Sequence, residues 1–286
     1  MSAHPSALLP HGRLGATFPA DVRVIDADVA VGYALATNDP NPLYLSGRLA
    51  PPLFAVVPGV AAIEAATVQL LGPDQIAHCV EAAHDVHYVR PLVPGMELRT
   101  AATAHAIMAG RAGDRLVLRV ESRTAAGELV VEQFTTVTIR GLTGSRVGGR
   151  PVPGHVFPPQ ARAARVGTVS VPVDPDQTRR YSQASGDFMP IHTDDGYAQS
   201  VGLPGMIAHG FCTMAMCSRA VLALTAGGDA SRLLRLAVRF RDYVRPGTTV
   251  DTTVFAGDQP GVVHFEAASD GRTVISDGLA VIGRPR

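Results

Sequence analysis

Apolar positions along the chain fall into two patterns. One is continuous. GFCTMAMCSRAVLAL, from Gly210 to Leu224, is apolar on nearly every face of a helix, and Gly59–Leu71 is mostly apolar as well. A helix without a polar stripe is wrapped by protein rather than laid on a surface. The other pattern alternates with a period of two, in stretches rich in Val and Thr that Gly or Asp turns separate. LRTAATAHAIMAG, RLVLRVESRTA and ELVVEQFTTVTIRG predict a meander of strands after the first helix. RLAVRFRDYV, TTVDTTVFAG, GVVHFEAAS and TVISDGLAVIG predict the same after the second. A buried helix with an antiparallel sheet curling round it is an α+β arrangement, and here it occurs twice.

The two helices belong to a longer repeat. YALATNDPNPLY (Tyr33–Tyr44) aligns with YSQASGDFMPIH (Tyr181–His192) at a constant offset. Tyr33 then meets Tyr181, Asp39 meets Asp187, Pro42 meets Pro190, and Tyr44 falls where the second copy has His192. VVPGVAA meets IAHGFCT, which sets Pro58-Gly59 against His209-Gly210. VHYVRPLVPGMEL meets VRFRDYVRPGTTV in the same order. Between the copies, residues 143–165 are rich in Gly, Pro and Arg and read as a linker. The expected organisation is a first copy at 1–142, the linker at 143–165 and a second copy at 166–286.

Composition narrows the function classes. A chain of 286 residues has room for one large domain or two ordinary ones. Its formal net charge of +0 argues against a nucleic-acid partner, which calls for a basic excess. The longest apolar runs are broken by His, Gly and Pro and fall short of a membrane span, so no membrane partner is expected. MSAHPSALLPHGRLG lacks the basic start and apolar core of a signal peptide. Cys79, Cys212 and Cys217 lie in apolar contexts and suit buried free thiols in a reducing compartment, so a cytoplasmic location is expected. Neither C-x-x-C nor H-E-x-x-H occurs, and no metal site is signalled.

The candidate chemistry lies in SGDFMPIH, Ser185–His192. Asp187 and His192 are five residues apart with Pro190 between them. That spacing suits neither a helical face nor a strand, so a loop is expected. Asp is common in turns, and Asp187 alone would be read as a turn residue. Its pairing with His192 inside the repeat points instead to acid–base work. Asp39 and Asn41, with no His beside them, are expected to keep a turn, and Asp194 and Asp195 to cap a short helix. Tyr181, Cys212 and Cys217 read as packing, and Met206, Met214 and Met216 as core or pocket wall with no cofactor implied. Arg239, Arg241 and Arg245 suit either a solvated face or contact with phosphates.

These residues resemble a known family. YSQASGDFMPIHTDDGYA is similar to the signature Y-x-x-x-[ST]-G-D-x-N-P-[LIV]-H of the MaoC-like, type-2 enoyl-CoA hydratases. LPGMIAHGFCTMAM resembles that family's G-x-x-x-H-G entry into a central helix, and APPLFAVVPG resembles the N-terminal half of its two-copy members. The resemblance implies a double hotdog fold and reversible addition of water to trans-2-enoyl thioesters of coenzyme A or acyl carrier protein. The implied product is the (R)-3-hydroxyacyl thioester, with no metal or redox cofactor and commonly a homodimer. The second copy would carry catalysis, and the first would shape the acyl pocket. Asp187 is then the principal base, and His192 orients the water and shares the proton transfer. Gly210 opens the helix whose free N–H groups face the thioester carbonyl. His209, Met189, Arg239 and Arg241 are the candidate substrate-binding residues. Met189 departs from the signature, standing where the family commonly has an Asn that hydrogen-bonds near the catalytic water. Two rivals stay open: a hotdog thioesterase acting through Glu64, the only helix carboxylate, and a non-catalytic acyl-binding subunit.

Overall fold

The computed structural model of the chain describes residues 7–284. They form two compact units that do not follow the sequence halves. One holds the described residues up to Arg23, with Pro58–His87 and Glu97–Gly154; the other holds Val24–Val57, Tyr88–Met96 and His155 onward. The segment of the first copy that matches the Asp–His motif therefore belongs to the same unit as the motif itself.

Both copies share one core order, a strand, two short helices, a long helix and four strands, with extra short elements in each. The first runs β1 (Thr17–Pro19), β2 (Arg23–Val24), α1 (Ala27–Ala36), α2 (Pro42–Leu45), α3 (Val56–Leu70), α4 (Pro73–Ala77), β3 (Cys79–Tyr88), β4 (Glu97–Met108), β5 (Arg115–Arg123) and β6 (Leu129–Ile139). β7 (Gly148–Gly149) lies in the linker. The second copy runs β8 (Arg165–Pro172), α5 (Gln177–Ser185), α6 (Pro190–Thr193), α7 (Asp195–Ser200) and α8 (Gly210–Thr225). It ends in β9 (Leu233–Phe240), β10 (Thr249–Ala256), β11 (Val262–Ser269) and β12 (Arg272–Ile282). Strand order is β1-β4-β5-β6-β3 in one copy and β8-β10-β11-β12-β9 in the other. The same order twice is the topological form of the sequence repeat.

In the first unit the helix face made by Ala62, Ala66 and Leu70 packs on Ala102, Ala104, Leu116, Leu118, Val120 and Ile139 of the sheet. Small residues on the helix let the sheet approach closely, and the larger aliphatic residues fill the space between. In the second unit α8 buries Cys212 through Ser218 and then Ala220, Val221 and Leu222, the all-round burial its composition predicts. Gly167 of β8 faces the Leu224 side chain, where a Cβ would lie 3.1 Å away.

Several features differ from the sequence expectations. Short helices α1 and α5 precede the central helices, because Asp26 caps α1 by accepting from the Asp28 and Val29 N–H groups. α5 stops where Gly186 takes a left-handed φ of 81°. His192 lies not on open loop but on one helical turn that Pro190 opens. Pro52–Leu70 forms 19 residues of helix with mean hydropathy 1.7, long and apolar enough by composition to cross a membrane, although no such run was expected. Ala62, Ala66 and Leu70 of this run lie in the first-unit core, while Pro52–Val57 belongs to the second unit. The linker is also ordered: β7 pairs with β4, and Phe157 and Ala161 pack on Phe255.

Candidate active site

Three segments of the second unit converge. α5 ends in the Gly186 turn, which presents Asp187. α6 presents His192. The chain entering α8 presents His209 and Gly210. The turn is held by Asp187 itself, whose Oδ1 accepts the Met189 N–H at 3.1 Å. Asp194 accepts the Tyr197 N–H at 2.8 Å and caps α7, as expected. Asp195 Oδ1 accepts the Met206 N–H at 2.7 Å, and Ile191 O accepts the Ile207 N–H at 3.2 Å. These bonds stitch the approach to α8 onto α6 and α7.

Hydrogen bonding sets the tautomer of both histidines. His192 Nδ1 lies 2.8 Å from Ile207 O. A carbonyl only accepts, so Nδ1 carries the proton and Nε2 keeps a free lone pair. His209 Nε2 donates to the Asp187 main-chain O at 3.1 Å and lies 3.3 Å from Ser182 Oγ. His209 Nδ1 is buried and without a partner. The two imidazoles stack, 3.8 Å between centroids and 27° between planes.

Electrostatics follows from that geometry. Burial lowers the His192 pKa below its ordinary value, against the Ile207 carbonyl and the Asp187 charge, which raise it. Burial, with the neighbouring His192, lowers His209 to about 3. Both rings are therefore neutral near pH 7, and His192 Nε2 is available as a base beside the half-buried Asp187. One ligand atom each from Asp187, His192 and His209 lies within 4.8 Å of the others, a set that could hold a divalent cation.

Gly210 begins α8, where amide N–H groups have no helical partner. A Cβ there would sit 3.2 Å from the Phe240 ring, so the glycine keeps this approach open. Met189 is 51% exposed and Phe188 60% exposed, giving the turn an apolar lip. Arg239 and Arg241 are not free cations. Asp277 faces both, 3.7 Å from Arg239 Nε and 2.9 Å from Arg241 Nη2. Asp277 also accepts the Phe157 N–H, and its own carbonyl accepts from His155. Arg245 pairs with Asp270 at 2.8 Å. These arginines hold the linker and the sheet.

The matching place in the first copy has the same turn without the imidazole. Asp39 accepts the Asn41 N–H at 3.1 Å, the same turn as Asp187 makes. Asn41 caps α2 by accepting from Leu43 N–H and donates to Gly228 O. Tyr44 fills the His192 position, with its hydroxyl buried and unpartnered. Glu64 is exposed on α3, and α8 carries no carboxylate. Burial pushes the Cys212 and Cys217 thiols up to about 12, far from nucleophiles. One contributor escaped the sequence reading: the Ile207 carbonyl that binds His192 Nδ1, which leaves no side-chain signature.

Comparison with known proteins gives the family. Residues 158–268 match the family model of the MaoC like domain. The chain is 31% identical over 239 residues to 3-hydroxyacyl-thioester dehydratase Y of Mycobacterium tuberculosis, covering 79% of each. It is 30% identical over 173 residues to the probable enoyl-CoA hydratase 2 of Dictyostelium discoideum, covering 59% of this chain and 58% of that protein. Among solved structures, a MaoC-like dehydratase from Phytophthora capsici superposes with a TM-score of 0.84 at 23% identity, covering 94% of this chain and 95% of that one. A double-hotdog protein of Mycobacterium tuberculosis superposes with a TM-score of 0.62 at 14% identity, covering 94% of this chain and 95% of that one. The chain belongs to the MaoC-like dehydratase family and has its double hotdog fold.

Proposed function

We propose that the protein is a hydro-lyase that adds water reversibly to trans-2-enoyl thioesters, giving (R)-3-hydroxyacyl thioesters. The observation that carries this reading is the free Nε2 of His192, held beside the Asp187 carboxylate by the Ile207 carbonyl. The pair takes one proton from water as its oxygen bonds to C3 of the substrate. The same pair returns a proton to C2, so one water supplies both atoms added. Charge that builds on the thioester oxygen meets the N–H groups at the start of α8. Each step lies within reach of these groups, so the reading calls for no metal or redox cofactor.

Coenzyme A and acyl carrier protein both suit the thioester, and a homodimer is the expected assembly. The exposed Met189 and Phe188 would lie along the acyl or thioester chain. Arg239 and Arg241 would meet carrier phosphates only in competition with Asp277. A thioesterase would need a carboxylate on the central helix of the catalytic copy, and α8 has none.

The test is loss of enoyl-thioester absorbance on mixing purified protein with trans-2-enoyl-CoA of several chain lengths, with the product's configuration assigned. Formation of the (R)-alcohol is expected. Release of free thiol without an alcohol product would replace this reading with thioester hydrolysis.

A further inference from the structure

The first copy's motif segment, Tyr33–Tyr44, has no imidazole, yet it reaches the second copy's histidines through a chain of contacts. Tyr33 and Tyr181, equivalent in the repeat, are both buried, and their hydroxyls lie 3.1 Å apart. Tyr33 OH donates to Leu53 O at 3.1 Å. Its single proton is thus used, and Tyr181 OH must be the donor in the tyrosine pair. The Tyr181 ring packs on His209 with centroids 4.7 Å apart, and His209 stacks on His192 at 3.8 Å. Tyr33 is held in turn by the edge of the Phe54 ring, 5.6 Å between centroids. From Leu53 to Tyr181 the hydroxyls have fixed partners and a fixed direction, and from Tyr181 to His192 the rings are in contact.

We propose that Tyr33 and Tyr181 are positioning residues: the first copy's Tyr33 orients Tyr181, which sets the His209 ring against which the reacting imidazole of His192 stacks. The first copy is then a working part of the site and not only a scaffold. The inference rests on the hydratase reading for its kinetic effect, but the geometry it describes does not. Its sharpest consequence concerns hydroxyls. Tyr33→Phe leaves the buried Tyr181 OH with no acceptor, and that group must turn or shift to find one. Tyr181→Phe leaves Tyr33 bonded to Leu53 and keeps the ring on His209. The double variant strands neither hydroxyl.

Tyr33→Phe should therefore lower kcat for enoyl-CoA hydration about tenfold, as expected of a sub-ångström shift of a catalytic group, with KM nearly unchanged. It should also move the acid limb of the kcat profile. Tyr181→Phe should do less, and adding it to Tyr33→Phe should restore most of the lost rate. The imidazole NMR signals of His209 and His192 should move in Tyr33→Phe and return in the double variant, a readout that needs no turnover. Wild-type kcat and pH profile in Tyr33→Phe, with unmoved imidazole signals and only a lower Tm, would reduce the pair to core packing and overturn the proposal. Should the wild-type protein hydrate no enoyl-CoA, the NMR arm alone decides the positioning chain, and the hydratase reading fails separately.

Discussion

At the scale of single residues the repeat supplies its own control. Asn41 and Met189 occupy the same place in the same turn, each followed by a proline that opens one helical turn. Asn41 caps α2 with its side chain, whereas α6 has no side-chain cap. Met189→Asn should therefore stabilise the protein by about 1 kcal/mol, the usual worth of an N-cap, measurable as a higher urea midpoint at unchanged m. A drop in stability would mean that the exposed thioether packs on something that Asn cannot replace. His192 carries a second prediction. It acts as a base only when neutral, and its folded pKa lies below the ordinary value. Activity should stay on its plateau as pH falls through about 6.5 and decline only at lower pH. A decline centred above that point would contradict the burial of His192.

At the scale of elements, the start of α8 combines a free amide end, a glycine and a neighbouring ring. Gly210→Ala places a methyl against Phe240 and narrows the approach to the helix end. The rate kcat/KM should fall at least about tenfold, while circular dichroism keeps the helical signal. Unchanged kinetics would remove the helix start from the site. This element was legible in the sequence, since an unbroken apolar run admits only a wrapped helix. α1 and α5 were not, because α1 is short and apolar without a distinct face, α5 is mostly polar, and tertiary packing decides their state. The Asp–His pair was legible because the repeat set His192 against Tyr44. The pairing of Arg239 and Arg241 with Asp277 was not, since it depends on a residue far along the chain at a left-handed φ of 52°.

At the scale of the whole molecule, each unit buries a neutral histidine. Burial lowers His84 to about 4 in the first unit, against its Gln133 hydrogen bond and the charge of Asp85, and lowers His209 to about 3 in the second. The unfolded chain binds these protons near pH 6.5 and the folded chain does not. Stability is therefore full above about pH 6.5 and falls as pH drops toward the folded values. For His84 alone the loss is about 3 kcal/mol. Urea midpoints measured from pH 7 to pH 4 should fall steadily, and His84→Gln should flatten the curve. A flat wild-type curve would mean that the rings are not buried neutral. Which segments share a unit was beyond the sequence: residues 24–57 join the second copy through packing that no local pattern records.

The most direct measurement is turnover of trans-2-enoyl-CoA by Asp187→Asn and His192→Ala beside the wild-type protein, with folding verified by circular dichroism and Tm. Asn keeps the Oδ1 acceptor of the Met189 turn, so the first change removes the charge and leaves the turn. Each variant should lose about 10²–10⁴-fold in kcat while remaining folded. Near wild-type turnover in a folded Asp187→Asn variant would contradict the assignment of this pair as the groups that activate water.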